Sequence, residues 1–265
     1  MSSSPTILVF DSGLGGLTVF REICAVRRDA RFVYAADDEA FPYGHLSEAD
    51  LSTRVTGVMS SLIESHRPDI VVVACNTAST LVLAELRARF TVPFVGTVPA
   101  IKPACAASGS KLVSVLGTEA TVSREYTKAL IRDFSQGCAI TLVGAGQLAI
   151  LAEGYLRGET VPDDSIRAEI APCFIEKDGQ RTDTIVLACT HYPLLLERLR
   201  ALSPWPVAWL DPAPAIARRI TDLIGVRPAG SPDGGASFLF TSGRQPSGDL
   251  VTALRLLGFE DRIPV

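Results

Sequence analysis

Two stretches of the chain carry the same hydrophobic pattern. Residues 69–79 read Asp-Ile-Val-Val-Val-Ala-Cys-Asn-Thr-Ala-Ser, and residues 183–193 read Asp-Thr-Ile-Val-Leu-Ala-Cys-Thr-His-Tyr-Pro. In each, an aspartate precedes a short apolar run, and Ala-Cys then gives way to a small polar pair. Runs that are apolar at consecutive positions, and rich in Val and Ile, read as strands buried on both faces. Open α/β sheets place their ligands beyond the carboxyl ends of such strands, where Cys75 and Cys189 fall. Two thiols at equivalent strand ends imply two lobes facing each other, with one thiol on each side of a cleft.

The same pattern organises the rest of the chain. Residues 6–10 form a buried strand, followed by Asp11-Ser12-Gly13-Leu14-Gly15-Gly16 and a helix to about Arg28. This turn puts backbone amides at a helix start, a place suited to a carboxylate, but it lacks the last glycine of a dinucleotide fingerprint. A second strand spans 31–36. The acids Asp37-Asp38-Glu39 then read as a solvated turn and Pro42-Tyr43-Gly44 as another. Ser47-Glu48-Ala49-Asp50 reads as a capping box opening a helix to about Ser65. The first cysteine strand, a helix over 78–90 and a strand at 93–96 follow. Pro99 and Pro103 mark a change of lobe. A strand over 111–116 turns through Gly117-Thr118-Glu119-Ala120-Thr121 into a helix, echoing the first strand and its turn. A strand at 138–143 leads to Gly144-Ala145-Gly146 and a helix containing Glu153, and residues 160–182 read as helix broken by Pro162 and Pro172. The second cysteine strand and its helix end near Ser203. A strand at 206–210, a helix at 213–224, a loop at 228–235, a strand at 236–240 and a helix at 247–257 close the chain.

Strands alternating with helices specify parallel sheets with helices on both faces. The expectation is an α/β protein of two similar lobes with mainly parallel sheets, related by pseudo-twofold symmetry, with the active site in the cleft between them. Residues 1–97 plus 209–265 would form lobe 1, carrying Asp11 and Cys75, and residues 98–208 lobe 2, carrying Cys189 and His191.

Composition narrows the function classes. A chain of 265 residues, 47% hydrophobic and 20% charged, can bury a sizeable core. Its net charge of −4 supplies no basic face for nucleic acid. No apolar run approaches the roughly 20 residues of a bilayer span, and Met-Ser-Ser-Ser-Pro at the start shows neither the charged nor the apolar region of a signal peptide. The expected compartment is the cytosol. The six cysteines contain no C-x-x-C pair, which argues against zinc and against a thioredoxin-type motif; no metal is expected. In a reducing compartment they are free thiols. Cys24, Cys105, Cys138 and Cys173 read as packing residues.

Cys75 and Cys189 read otherwise. Cys189 has His191 two residues on, and Cys75 shares its lobe with Asp11. One thiol with one histidine would suit a nucleophile. Two thiols placed symmetrically suit inversion of a stereocentre, in which a thiolate takes the α-proton on one face and a thiol returns one on the other. The α-proton of an amino acid is far less acidic than a thiol, so fixed donors must stabilise the developing charge. Ser12, Asn76, Thr77, Thr118 and Thr190, with the amides of the helix starts, are candidates. The four lysines, Lys102, Lys111, Lys128 and Lys177, sit in no aldimine setting, so no pyridoxal cofactor is expected. Against these roles stand plainer ones: Asp11 and His191 as helix caps, the cysteines as inert core residues, and the chain as an amino-acid binding protein without turnover.

Four motifs then resemble a known family. Phe10-Asp11-Ser12-Gly13-Leu14-Gly15-Gly16-Leu17-Thr18-Val19, Tyr34-Ala35-Ala36-Asp37 with Pro42-Tyr43-Gly44, Ala74-Cys75-Asn76-Thr77-Ala78, and Ala188-Cys189-Thr190-His191-Tyr192-Pro193-Leu194-Leu195 are similar, in order and spacing, to those of the glutamate racemases of the aspartate/glutamate racemase superfamily. The resemblance implies cofactor-independent interconversion of L- and D-glutamate, supplying D-glutamate for peptidoglycan. It implies acid/base roles for Cys75 and Cys189, assisted by Asp11 and His191 respectively. It further implies substrate contacts from Asp11, Ser12, Tyr43, Gly44, Asn76, Thr77, Thr190 and His191, and a homodimer. Aspartate and hydantoin racemases of the same superfamily stand beside this reading. Two positions depart from the pattern. Ala36 stands where glycine is frequent, and Val143-Gly144-Ala145-Gly146-Gln147 stands in the region of a frequent Val-Glu-Glu-Gly whose first glutamate assists the second cysteine. The sequence leaves open whether Glu153, on the following helix, fills that place. With the first strand opening at residue 6, activator regulation through an N-terminal extension, as in some members, is not expected.

Overall fold

Consecutive buried apolar residues become strands here, and stretches with apolar positions every third or fourth residue become helices. The computed structural model describes residues 4–135 and 137–245 and positions 248, 250, 251 and 254; the helix expected over 247–257 falls largely outside them. In chain order the elements are β1 (Thr6–Asp11), α1 (Leu17–Val26), β2 (Arg31–Ala36), α2 (Glu48–His66), β3 (Ile70–Val73), α3 (Asn76–Arg89), β4 (Phe94–Gly96), α4 (Ile101–Ala107), β5 (Leu112–Gly117), α5 (Glu119–Ser123), α6 (Glu125–Phe134), β6 (Ala139–Gly144), α7 (Leu148–Leu156), α8 (Asp163–Ile170), β7 (Glu176–Lys177), β8 (Gln180–Arg181), β9 (Thr184–Ala188), α9 (Leu196–Leu202), β10 (Ala208–Leu210), α10 (Ala213–Ile224) and β11 (Ala236–Phe240). The chain divides into two units, Met1–Thr97 with Ala213–Val265, and Val98–Pro212.

The first unit holds a five-stranded sheet in the order β11-β2-β1-β3-β4, parallel throughout. One face packs Leu8, Phe10, Val71 and Val73 against Leu51, Val55 and Met59 of α2 and Ala78, Val82 and Leu86 of α3. Their four-residue spacing is one stripe of each helix, and each such side chain contributes about 1.5–3 kcal/mol on burial. On α1, Phe20 sets its ring edge-on to Phe32 and Tyr34 of β2 and Phe238 of β11. The buried Arg27 then clasps α10: Nη1 donates to the Ile224 and Gly225 carbonyls at 3.0 Å each, while Nε and Nη2 hold Asp29 at 3.0 and 2.9 Å.

The second unit holds a four-stranded parallel sheet in the order β10-β9-β5-β6. With β5, β6, β9 and β10 in the places of β1, β2, β3 and β4, this is the strand order of the first unit without its β11 edge. Ile101, Ala104 and Cys105 of α4 pack on Val113, Val115, Val186 and Ala188, joined by Leu130 and Ile131 of α6. The duplicated aspartates brace equivalent points. Asp69 Oδ2 accepts the N–H of Thr6, at the start of β1, at 2.7 Å. Asp183 accepts the N–H groups of Gly109 and Ser110, ahead of β5, at 2.8 Å each.

Two expectations need correction and a third gains detail. Residues 209–212 were placed with lobe 1, yet β10 pairs with β9 in parallel register, Ala208 opposite Thr184, and stays in the second unit until Pro212. Pro103 does not merely mark a boundary: it lies in the first turn of α4, where its missing N–H breaks no helical bond. Residues 174–182 are not helix. They carry the antiparallel β7–β8 hairpin, turned by Asp178 at φ 52° and Gly179 at φ 72°, an Asp-Gly hairpin signal.

Candidate active site

In both sheets the chain reverses direction of travel beside the first strand, and the cysteines sit at these switch points. In the first unit β1 lies between β2 and β3. The register pairs Phe10 with Val73, so Ser12 and Cys75 leave adjacent strands side by side, and the Cys75 thiol donates to Ser12 Oγ at 3.6 Å. In the second unit Gly117 pairs with Ala188, which makes Thr118 and Cys189 the corresponding pair. Thr118 also caps α5, its hydroxyl accepting the Thr121 N–H at 3.1 Å.

Asp11 ends β1, fully buried, and its carboxylate accepts the Gly13 N–H at 3.1 Å. The turn behind it is tight. A Cβ on Gly16 would lie 2.6 Å from Asp11 Cβ and 2.9 Å from the Tyr34 hydroxyl, which itself donates to the Gly13 carbonyl at 2.7 Å. Glycine at 16 therefore lets α1 start directly against Asp11. Cys75 is the N-cap of α3, in the positive potential of the helix start. Asn76 and Thr77 form the first turn and are buried. The Asn76 amide has no hydrogen-bond partner at either its nitrogen or its oxygen. A buried amide left so costs about 1–3 kcal/mol.

Tyr43 is buried and Gly44 half-buried in a short turn over Tyr43–His45. The Tyr43 hydroxyl donates to Asp37 Oδ2 at 2.5 Å. Burial, and then the charges of Asp37, Cys75 and Asp11, push this phenol far above its ordinary pKa, so it remains a donor. Asp37 departs from the expected solvated turn. It is wholly buried, held by Arg54 Nε at 3.0 Å and Nη2 at 2.5 Å and by Thr241 Oγ1 at 2.6 Å. Burial alone would raise its carboxyl, but the bonds from Arg54, Thr241 and Tyr43 outweigh that and hold it below the usual range. Only Glu39 behaves as expected: it pairs with Arg54 at 2.8 Å from an exposed position.

The second unit assembles a relay. Cys189 Sγ lies 3.9 Å from His191 Nδ1, and His191 Nε2 lies 2.7 Å from Glu153 Oε2. The other oxygen of Glu153 accepts from Arg157 Nη2 at 3.0 Å, one helical turn on. All but Arg157 are buried. Burial would lower the His191 pKa, yet the hydrogen bonds with Cys189 and Glu153 and the Glu153 charge outweigh it and raise the ring well above its ordinary value. Glu153 therefore meets His191 from α7, and its reach to the thiol runs through the ring. Thr190 is buried between Cys189 and His191. Tyr192 is fully buried; its hydroxyl donates to the Ala145 carbonyl at 3.4 Å, and burial and then the Cys189 charge raise its pKa.

Sequence reasoning missed Asp37, Arg54, Thr241, Arg157 and Tyr192 as parts of these half-sites. The motif contexts of Asp37 and Tyr192 were available signals; no spacing pointed to Arg54 or Thr241. Of the remaining cysteines, Cys105, Cys138 and Cys173 are buried and Cys24 is half-buried; burial pushes Cys105 and Cys173 up to about 12 each.

A model of the Asp/Glu/Hydantoin racemase family matches residues 17–220. The glutamate racemase of Brucella canis is 58% identical over 222 residues, covering 83% of this chain and 80% of that protein. The glutamate racemase of Agrobacterium fabrum is 51% identical over 255 residues, covering 96% and 92%. The crystal structure of Escherichia coli glutamate racemase in complex with L-glutamate and the activator UDP-MurNAc-Ala matches with a TM-score of 0.87 at 39% identity, over 98% of this chain and 97% of that one.

Proposed function

The chain belongs to the Asp/Glu/hydantoin racemase family, and from that membership we propose that it interconverts L- and D-glutamate by two-base chemistry at the α-carbon. The observation that carries this reading is that two sheets of one strand order each end a strand in a buried thiol at the equivalent switch point, with Cys75 bonded to Ser12 and Cys189 beside His191. One thiol, as thiolate, removes the α-proton; the other, as thiol, delivers a proton to the opposite face of the flattened carbanion. The next turnover runs the reverse way.

Asp11 and Ser12 serve Cys75. The His191–Glu153 pair serves Cys189, because an imidazolium backed by a carboxylate stabilises the neighbouring thiolate. Asn76, Thr77, Tyr43 and Gly44 in one unit, with Thr118 and Thr190 in the other, hold the carboxylates and ammonium of glutamate. Those donors that meet the α-carboxylate lower the barrier, because carbanion charge develops there, while Tyr43 and Gly44 hold the substrate equally in ground and transition states. The reaction supplies D-glutamate for peptidoglycan. We also infer a cytosolic homodimer; among the described residues no helix is long and apolar enough to cross a membrane.

The test is incubation with L-glutamate in D2O without pyridoxal phosphate, following optical rotation and α-proton loss together. Inversion with deuterium at the α-carbon is expected, and Cys75→Ser and Cys189→Ser should each abolish it while leaving ligand binding measurable. Parent-rate racemisation by either variant defeats the two-base mechanism. Inversion of aspartate in place of glutamate keeps the mechanism and changes the substrate.

A further inference from the structure

The segment after the last described strand reaches back onto the turn that carries Tyr43. Thr241 follows β11, and its N–H donates to the Ala36 carbonyl at 3.0 Å. Its hydroxyl donates to Asp37 Oδ1 at 2.6 Å and accepts the Glu39 N–H at 3.4 Å. Ser242 repeats the grip one residue on: its N–H and hydroxyl donate to the two oxygens of Asp38 at 3.0 and 2.6 Å. From the other side Arg54, on α2, holds both oxygens of Asp37. Asp37 is thereby fixed by two elements distant in sequence, and its own backbone N–H donates to the Asp11 carbonyl at 2.8 Å. What Asp37 fixes in turn is the Tyr43 hydroxyl.

We propose that Thr241 and Arg54 are positioning residues: they orient Asp37, and through it the Tyr43–Gly44 turn, so that the segment after the last strand sets how firmly the first half-site grips its substrate. The inference rests on the reading that Tyr43 and Gly44 contact glutamate. Neither residue need touch substrate. A carboxylate with this many donors has one orientation, and a tyrosine bonded to it in a buried site inherits that orientation. Releasing one donor frees the turn without unmaking the sheet. The grip involved is made equally in ground and transition states, so its loss belongs in KM and not in kcat.

Thr241→Val removes the hydroxyl at nearly constant shape, and Thr241→Ser restores it. The valine variant is expected to raise KM for both enantiomers about five- to tenfold with kcat near the parent value. It is also expected to speed backbone hydrogen exchange in the peptide spanning residues 38–46. The serine variant should do neither. Arg54→Met should follow the valine variant, with Arg54→Lys only partly restoring it, since lysine lacks the two-pronged fit. Unchanged KM and unchanged exchange in Thr241→Val overturn the proposal, as does a serine variant as impaired as the valine one. Exchange that responds in a protein whose parent fails to racemise glutamate leaves the positioning intact and removes the substrate assignment instead.

Discussion

Replacing Glu153 with glutamine tests the relay at its least obvious member. The carboxylate lies 2.7 Å from His191 Nε2 in a buried setting, and the substitution keeps the shape while removing the charge. Unit charges about 4 Å apart interact by about 4 kcal/mol at the effective dielectric of a protein site. Arg157, 3.0 Å from the other oxygen, offsets part of this, and the amide still offers His191 an acceptor. A net loss of about 1.5–3 kcal/mol for the imidazolium–thiolate form follows, or about ten- to hundredfold in kcat/KM. The two enantiomers have equal free energies, so the loss must be the same factor for L- and D-glutamate. The pH profile supplies a second readout. Glu153 helps to hold the His191 pKa above its ordinary value, so the ring stays protonated to higher pH in the parent. In Glu153→Gln the alkaline limb of kcat/KM should move to lower pH. Initial rates by circular dichroism in both directions, across pH, give both quantities, and a thermal melt shows that the fold persists. A loss of less than about threefold with an unmoved alkaline limb would mean that His191 works without Glu153.

Asn76→Ala should hold or raise the melting temperature, because the amide it removes is buried without partners, while KM for glutamate rises about tenfold or more; a lower melting point with unchanged KM would assign the amide a structural task. Arg27→Met leaves Asp29 buried without its cation and strips a donor from the Ile224 and Gly225 carbonyls, so urea unfolding should show a loss of about 3–5 kcal/mol, and a loss below about 1 kcal/mol would be the value of an exposed pair. Hydrogen bonds from Arg27 hold Asp29 below the usual carboxylate range, and those to Asp37 outweigh its burial to the same effect. Their contribution to stability is therefore complete above about pH 4 and is lost as pH falls through the folded values. Asp37→Asn should flatten that acid limb of the stability curve, and an unaltered limb would show Asp37 already neutral in the fold.

What was legible in the sequence follows from what is local. Apolar runs gave β2 and β11 to the residue, because a short run dense in apolar residues reads as a strand without information from its partners. The cysteines at strand ends were legible for the same reason, doubled by the repeat. Charge was not. Asp37, Asp38 and Glu39 are adjacent and chemically alike, yet one is buried on Arg54, one holds Ser242 and one is solvated. The difference is made by partners 17 and about 200 residues away, which no local pattern carries. Glu153 stood open at the sequence level because a helix presents its reach only once α7 is set against the second cysteine turn.

The two half-sites share more than a thiol, and their divergence is local and physical. Ser12 and Thr118 occupy the same register position beside their cysteines; Ser12 accepts from the Cys75 thiol at 3.6 Å, whereas the Thr118 hydroxyl donates to Thr121 Oγ1 at 2.9 Å. One residue earlier the units part. Asp11 ends β1, whereas its counterpart Gly117 ends β5, where even a Cβ would lie 3.2 Å from Val122 and 3.4 Å from Ala188. Any side chain there would press on Val122. The second unit instead takes its proton partner from the turn after the cysteine, and a buried imidazole in that turn stays charged only with an anion behind it, which α7 supplies. In the proposed mechanism one thiol is served by a carboxylate and the other by an imidazolium. That inequality cannot bias the reaction, since an equilibrium constant of one forces the kcat/KM values for the two enantiomers to be equal. It is free to appear in kcat only if KM changes with it by the same factor.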